Sequence, residues 1–466
     1  MSEKRRRRRI HPSIKLVGSL LLIGALLYMG TFAVRFCLGL FMAGDDYILM
    51  NPDDVIIQPT EAADSGDETA PTESDVLHET GRAEILVTGD LMMHLPTVRS
   101  GKTDSGYDFS YIFSYLSSYI NQADYAVVNL ETTLSGTEKK EYTGYPKFNS
   151  PDAVASAAYG AGFDLILTAN NHCYDYGTQG LLRTLEVVKA AGLDTLGTYS
   201  DSAAQQYLVK DVGGVKIGMV NYTFGEIGDD LSRPKINGLK TDSGAADLIN
   251  AFDYEKLDLF YAEMENQIIA MKASGADVIV AFLHWGDEYS TKVNSQQKEM
   301  ARKLCDLGVD IIAGSHPHVI QTMELLTSTD GSRQSLVLYS MGNFLSNQRA
   351  NNISLDTGES EDGLLFTFTV VKYSDGTVVL ESAHIQPTWV LIRGSGNSRT
   401  YHIIPLDYNV EDWQETFELS ASQEEDARKS YNRTMEILGR DYNNIRDILA
   451  QQYAARNPEA EEPGVG

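Results

Sequence analysis

Cysteine is almost missing from this chain, with three residues in 466. Cys37, Cys173 and Cys305 make no disulfide framework. A Cys173–Cys305 bridge stays open, although nothing in the sequence asks for it. Cys173 follows His172 directly; a ligand or redox role is conceivable there, and small-residue packing is the favoured reading. Cys305 falls on the apolar face of an expected helix. Positive charge is scarce as well: 38 Lys and Arg face 65 Asp and Glu, a net −27. Residues 1–44 hold eight of the bases and one Glu, so the other 422 residues carry 30 basic and 64 acidic side chains, a net −34. Such a surface excludes general nucleic-acid binding and repels other polyanions except at a local basic patch. No internal repeat is present. Apolar residues are plentiful at 42%, enough for one large core plus appendages.

One long uncharged run stands out. Lys4 and Arg5 to Arg9 form a basic block (residues 1–15 with their flanks), and residues 16–34 then carry no charge. Arg35 interrupts, and apolar residues resume to Ala43. About 20 apolar residues span a bilayer as a helix, and basic residues stay on the cytoplasmic side. A cleaved signal peptide is the alternative; the run is long for one, and no clear small-residue cleavage site follows. The expectation is a single-pass anchor over 16–43, with the N-terminus cytoplasmic and the main domain outside the cell. Residues 44–82, rich in Asp, Glu, Ser, Thr and Pro, read as a linker without a packed core.

From residue 83 the pattern alternates between strands and helices, which predicts parallel strands with helical crossovers. Strands are expected at 85–88, 123–130, 164–169, 277–283 and 309–313. Helices are expected at 107–120, from Ser150 as N-cap with Pro151 at the first helical position, at 178–191, 254–274 and 295–307. Residues 209–212 and 215–222 read as a hairpin around Gly213-Gly214. Strands without helices follow at 321–326, 335–339, 363–373 and 377–386, implying a two-sheet α/β sandwich, parallel first and antiparallel later. The main domain is bounded at 83–405. Region 406–466 reads as a helical extension, with helices at 422–438 and 442–455 capping the domain and a disordered tail from residue 457.

The chemistry gathers at strand ends, where open α/β sheets present their sites. Asp90 closes Val87-Thr-Gly-Asp90, and Glu131 closes Val127-Val-Asn-Leu-Glu131. Asn171 and His172 end Thr168-Ala-Asn-Asn-His172, and His284 ends Val280-Ala-Phe-Leu-His284. His316 and His318 end Ile312-Ala-Gly-Ser-His-Pro-His318. Any one of these is ordinary turn or hydrogen-bonding chemistry. Five strands with unrelated structural needs ending this way make the inventory of a two-metal hydrolytic centre with N and O ligands. Glu131 suits the bridging carboxylate. His172 suits a leaving-group acid, because an imidazole ordinarily titrates near neutrality. Asp175 either orients His172 or only shapes the turn. His94 is read as a rim residue, with a ligand role as the lesser option. Trp285 and Tyr289 line a cleft or, equally for Trp285, pack in the core.

Five ordered motifs carry a resemblance. Gly89-Asp90-Leu-Met, Asn129-Leu-Glu131, Asn170-Asn-His-Cys-Tyr-Asp175-Tyr-Gly177, His284-Trp-Gly-Asp-Glu288-Tyr289 and Gly314-Ser-His-Pro-His318-Val are similar to those of the poly-gamma-glutamate capsule-biosynthesis (CapA) family, within the calcineurin-like metallophosphoesterases. The likeness covers roughly residues 84–390. It implies a four-layer α/β/β/α metallophosphoesterase-like sandwich, here behind an N-terminal transmembrane helix, with two divalent metal ions (Mn, Zn or Fe) between the sheets. It places Asp90, Glu131, Asn171, His284, His316 and His318 as metal ligands and His172 beside them. It marks Glu288 through the motif alone, and Asn343, in Tyr339-Ser-Met-Gly-Asn343-Phe344, as a substrate contact on the site wall. Two departures from the superfamily pattern are themselves those of the capsule family: Met92 stands where the superfamily usually has a histidine, and Asn-Leu-Glu131 replaces its second motif.

The function implied is a membrane-anchored extracellular metal-dependent hydrolase-like protein serving poly-gamma-glutamate or another anionic envelope polymer, beside membrane-bound polymer synthase subunits. Lys102, Lys139, Lys140, Lys147 and Arg349 are candidates for the local basic patch. Two other readings compete: a non-catalytic polymer-binding or scaffold partner of a membrane synthase, and a general phosphoesterase.

Overall fold

The computed structural model describes residues 77–456 apart from 139–140, 229–233, 246, 351–356 and 408–411. The basic block, the expected anchor, the linker to residue 76, Lys139, Lys140 and the tail from residue 457 lie outside the described residues. Among the described residues no helix is long and apolar enough to cross a membrane.

In chain order the first strands are β1 (Glu79–Leu91), β2 (Tyr125–Leu130), β3 (Leu165–Leu167), β4 (Asp194–Leu196), β5 (Leu208–Val212), β6 (Val215–Phe224) and β7 (Val278–His284). There follow β8 (Ile311–Ser315), β9 (Met323–Thr327), β10 (Gln334–Leu338), β11 (Asn343–Leu345), β12 (Asp362–Tyr373), β13 (Val378–Arg393) and β14 (Thr400–Pro405). The longer helices are α1 (Ala153–Ala161), α2 (Gly177–Ala190), α3 (Leu257–Ala273), α4 (Ser295–Leu307) and α5 (Ala421–Arg456). One sheet has the order β14-β13-β12-β1-β2-β3-β4, with β11 beside the end of β1. The other runs β6-β7-β8-β10-β9, flanked on β6 by β5 and the short strand Ala251–Phe252.

Alternation along the strands builds the layers, because successive side chains point to opposite faces. Ala83, Ile85 and Val87 of β1 face Val278, Val280 and Phe282 of β7 in a core between the sheets. Leu86 turns the other way, into a cluster with Val154 and Ala158 of α1. Ile279 and Ala281 turn toward Met264 of α3 and Leu304 of α4. Strands buried on both faces read as unbroken apolar runs, which is why they are visible in the sequence. The result is helix, sheet, sheet, helix.

Both sheets are mixed. β12 and β13 pair antiparallel beside parallel β1-β2-β3-β4. β10, expected in the antiparallel part, returns parallel to β8, with β9 as the antiparallel edge. α4 matches its expected bounds because Asn294 and Gln297 form a reciprocal capping box and Gly308 ends it left-handed. α1 starts later than expected, with Asp152 rather than Ser150 before it. The expected helix at 107–120 is instead a 3-10 turn at Ser110–Phe113 and a short helix at Ser117–Ile120. Asp108 accepts from the Ser110 backbone N–H (2.8 Å) and turns the chain locally, while Phe109, Ile112, Phe113, Leu116 and Ile120 are still buried.

The two helices expected near the C-terminus are one, α5. Its buried residues Thr434, Leu438, Tyr442, Ile445 and Leu449 keep three- and four-residue spacing through Gly439, so one stripe continues without a phase shift. Leu438, Tyr442, Ile445 and Leu449 enter the core between the sheets. The C-terminal region thus belongs to the same compact unit as the main domain.

Candidate metal centre

The site forms where the C-terminal ends of both sheets meet. The ladder between β1 and β2 shifts register between Thr88 and Asp90, a local irregularity of the kind that re-aims a side chain. Gly89 permits it: a Cβ there would lie 2.0 Å from the Gly342 carbonyl oxygen, and the Asp90 N–H donates to that same oxygen at 3.1 Å. Asp90 and Glu131 are fully buried. The other sheet sends His284 from the end of β7, and His316 and His318 from the turn after β8. That turn is strained, with φ of +96° at His316 and +59° at His318, conformations that non-glycine residues adopt where function requires them.

The side chains converge. Asp90 Oδ2 lies 3.0 Å from His318 Nδ1 and accepts from the His316 backbone N–H at 3.3 Å. His284 Nε2 lies 3.2 Å from Asn171 Oδ1, 3.1 Å from His316 Nδ1 and 3.7 Å from Glu131 Oε1. His318 Nε2 is also 3.7 Å from Glu131 Oε1. Beside them His172 Nδ1 meets Asp175 Oδ2 at 2.8 Å, and the same oxygen accepts from the Phe148 N–H at 2.6 Å. The Phe148 ring stands edge-on to His172, with centroids 4.6 Å apart.

Electrostatically this arrangement is suited to a cation. No donor satisfies either oxygen of Glu131, and a proton shared with Asp90 is the relief open to it without one. Burial first, then the Asp90 charge, push the Glu131 carboxyl well above the usual carboxylate range. Burial, then the neighbouring His316, push His284 well below its ordinary value. Burial, then His318, hold His316 down to about 3. Neutral imidazoles with lone pairs aimed at a carboxylate lacking hydrogen bonds are compatible with a divalent metal ion. Two groups have ligand atoms within 4.8 Å of one another: Asp90, Glu131 and His284, and Glu288, His316 and His318.

Three residues inside the motifs, and Phe148 outside them, support the site in ways the sequence does not show. Asn129 donates to Asp90 Oδ1 (2.7 Å). Asn170 donates to Asn129 Oδ1 (3.1 Å) and accepts from the His172 N–H (3.2 Å). Ser315 Oγ meets His284 Nδ1 at 2.9 Å, which turns Nε2 toward the site. Phe148 is the fourth. His94 sits near His318 and His172, where burial and then His318 push it down to about 4. Its Nδ1 accepts from the Asn347 N–H (3.3 Å), and it belongs to neither three-residue group.

Two expected substrate contacts lie elsewhere. Trp285 is 0% exposed, stacks on Tyr339 and donates Nε1–H to the Tyr339 carbonyl (2.9 Å), so it is core. Asn343 is 1% exposed and donates to the carbonyls of His318 (3.2 Å) and Ser360 (2.8 Å). It anchors the histidine turn rather than facing a substrate. Tyr289, at φ +62°, is half-buried, with its ring 5.9 Å from His318, and Glu288 is exposed. Cys173 and Cys305 are both free and buried. Arg349 is paired with Glu361 at 2.7 Å, whereas Lys102 and Lys147 are exposed.

The profile of the bacterial capsule synthesis protein PGA_cap family matches residues 84–348. The chain belongs to that family. Every site residue from Asp90 to Asn343 falls inside the matched stretch. Among curated members, the capsule biosynthesis protein CapA of Bacillus anthracis is 28% identical over 236 residues, 49% of this chain and 52% of that one. The PGA biosynthesis protein CapA of Bacillus subtilis is 33% identical over 190 residues, 40% of this chain and 43% of that one. A probable polyglutamine synthesis accessory protein of Mycobacterium tuberculosis is 26% identical over 209 residues, 43% of this chain and 52% of that one. The chain thus spans about half the length of the curated relatives it matches. A capsule-synthesis chain whose matched stretch carries this ligand set belongs with the metallophosphoesterase-like proteins.

Proposed function

We propose that this capsule-synthesis family member is a metal-dependent hydrolase acting on poly-gamma-glutamate or a similar anionic envelope polymer, held outside the cell membrane by residues 16–43 and working beside a membrane-bound synthase. The names of its relatives support the polymer. The uncharged run behind a basic block supports the anchor. The observation that carries the hydrolytic reading is the buried Glu131 carboxylate, without a donor and 3.7 Å from both His284 and His318.

In this reading Asp90, Glu131, Asn171, His284, His316 and His318 hold two divalent cations. Such cations, when bound, lower the pKa of water and polarise the attacked carbonyl or phosphoryl oxygen. The chain's own residues do the rest. Asp175 holds His172 Nδ1, which leaves Nε2 to give a proton to the departing amine or oxygen. Phe148 covers one side of the His172 ring and excludes water there. Asn129 and Ser315 keep Asp90 and His284 in place.

Incubating the full-length protein with Mn2+ and poly-gamma-glutamate tests this. Shortened chains with new amino termini are expected, and His172→Ala should abolish them. Phosphate release from model esters alone would redirect the activity to a general phosphoesterase. Metal bound without cleavage of either substrate would overturn the hydrolase reading in favour of a polymer-binding partner of the synthase.

A further inference from the structure

The two candidate ligand groups are unlike, and one of them contains a residue that the preceding reading leaves without a task. Asp90, Glu131 and His284 are each 1% exposed or less. In the other group His318 is 2% exposed, His316 is half-buried and Glu288 is exposed. Glu288 lies four residues past the end of β7, on a segment tied directly to the histidine turn. The Tyr289 N–H donates to the Pro317 carbonyl at 2.7 Å, and the Trp285 N–H to the Ser315 carbonyl at 3.1 Å. Tyr289, His316 and His318 are three of the five non-glycine residues with positive φ among the described residues. That much unfavourable backbone on two touching segments is kept only where the surrounding structure requires it. Its effect is to bring a Glu288 oxygen and ring nitrogens of His316 and His318 within 4.8 Å of one another. On the inner side of this group Glu131 Oε1, buried and without a donor, faces His318 Nε2 at 3.7 Å.

We propose that Glu288 is a metal ligand. With His316 and His318 it forms an outer cation site, open to solvent, beside an inner site of Asp90, Glu131 and His284, and Glu131 faces both. The proposal rests on the metal-centre reading above and adds a ligand to it. Position 92 holds a buried Met, which supplies no hard donor beside Asp90; Glu288 brings one from the rim. Because one of its three ligands is exposed, the outer cation exchanges more readily than the inner one. Oxygen and imidazole donors together suit Mn2+ or Zn2+.

The test is Mn2+ binding by the full-length protein, measured by elemental analysis after dialysis and by electron paramagnetic resonance. The wild type should hold about two ions per chain and give a spin-coupled signal. Glu288→Gln should hold about one, with an uncoupled signal and a second binding step weakened by about 10-fold or more. Because Glu288 is exposed, the metal-free variant should melt like the wild type, and Glu288→Asp should regain part of the second step. Two ions bound equally tightly in Glu288→Gln would overturn this assignment and leave the metal centre standing. Loss of both ions in that variant, or one ion in the wild type, would also overturn a separate outer site. No ion bound to the wild type would remove the metal-centre reading itself.

Discussion

Apart from Glu288 at the rim, the first sheet brings oxygen to the site and the second brings nitrogen. Asp90 lies near the end of β1 and Glu131 and Asn171 follow β2 and β3, whereas His284 ends β7 and His316 and His318 follow β8. Each half is unfavourable by itself. The carboxylates repel one another, and Glu131 lacks a donor. The imidazoles lower each other's affinity for protons. The apolar core between the sheets holds them face to face, so folding supplies the geometry and a cation would relieve the strain. This comparison teaches that the site belongs to the docking of two sheets rather than to either one.

The largest expected effect empties the inner group. His284→Ala should lose the tightly held inner cation although every carboxylate remains, as read by elemental analysis; an unchanged metal content would mean that His284 is not a ligand. Next, His172→Ala should keep the metal and lose about 10²–10⁴-fold in turnover. Equal loss of metal in His172→Ala and His316→Ala would move His172 into the ligand shell. Phe366→Ala, in the core between the sheets, should cost about 3–5 kcal/mol in denaturant unfolding and weaken metal binding with it; unchanged metal affinity in the folded variant would uncouple the site from sheet docking. Ile445→Val on α5 should cost about 0.5–1.5 kcal/mol, and no change would place α5 outside the shared core.

The smallest effect is a slope. His316 is held to about 3, against its ordinary 6.5, so the folded metal-free protein binds fewer protons there than the unfolded chain. Its contribution is full above pH 6.5 and is lost as pH falls toward about 3. Glu131, pushed upward, acts oppositely: its contribution is present below pH 4.5 and is lost as pH rises through the folded value. His316→Gln should flatten the acid limb of a stability–pH curve. An unaltered limb would show that His316 is not held neutral.

The convergence of these residues is legible in the sequence because an apolar run that ends abruptly in Asp, Glu or His marks a buried strand delivering a polar side chain to its end. Trp285 was ambiguous for a related reason: an aromatic next to a ligand reads as a wall, but strand alternation turns it to the face opposite His284, into the core with Tyr339. Asn343 also sits in a motif, yet its partners are the carbonyls of His318 and Ser360 and the Gln348 side chain, which the motif does not show. The supports Asn129 and Asn170 bond across strands rather than along one. In α5 the expected gap between 438 and 442 is helical, because tertiary packing on both sides of Gly439 outweighs its cost of about 1 kcal/mol.

Anomalous diffraction from Mn2+-soaked crystals of the protein tests the central claim most directly. The account predicts a strong peak between the sheets, bounded by Glu131, Asp90 and His284, with a second toward His318. Strong peaks elsewhere and none between Glu131 and the histidines would contradict it.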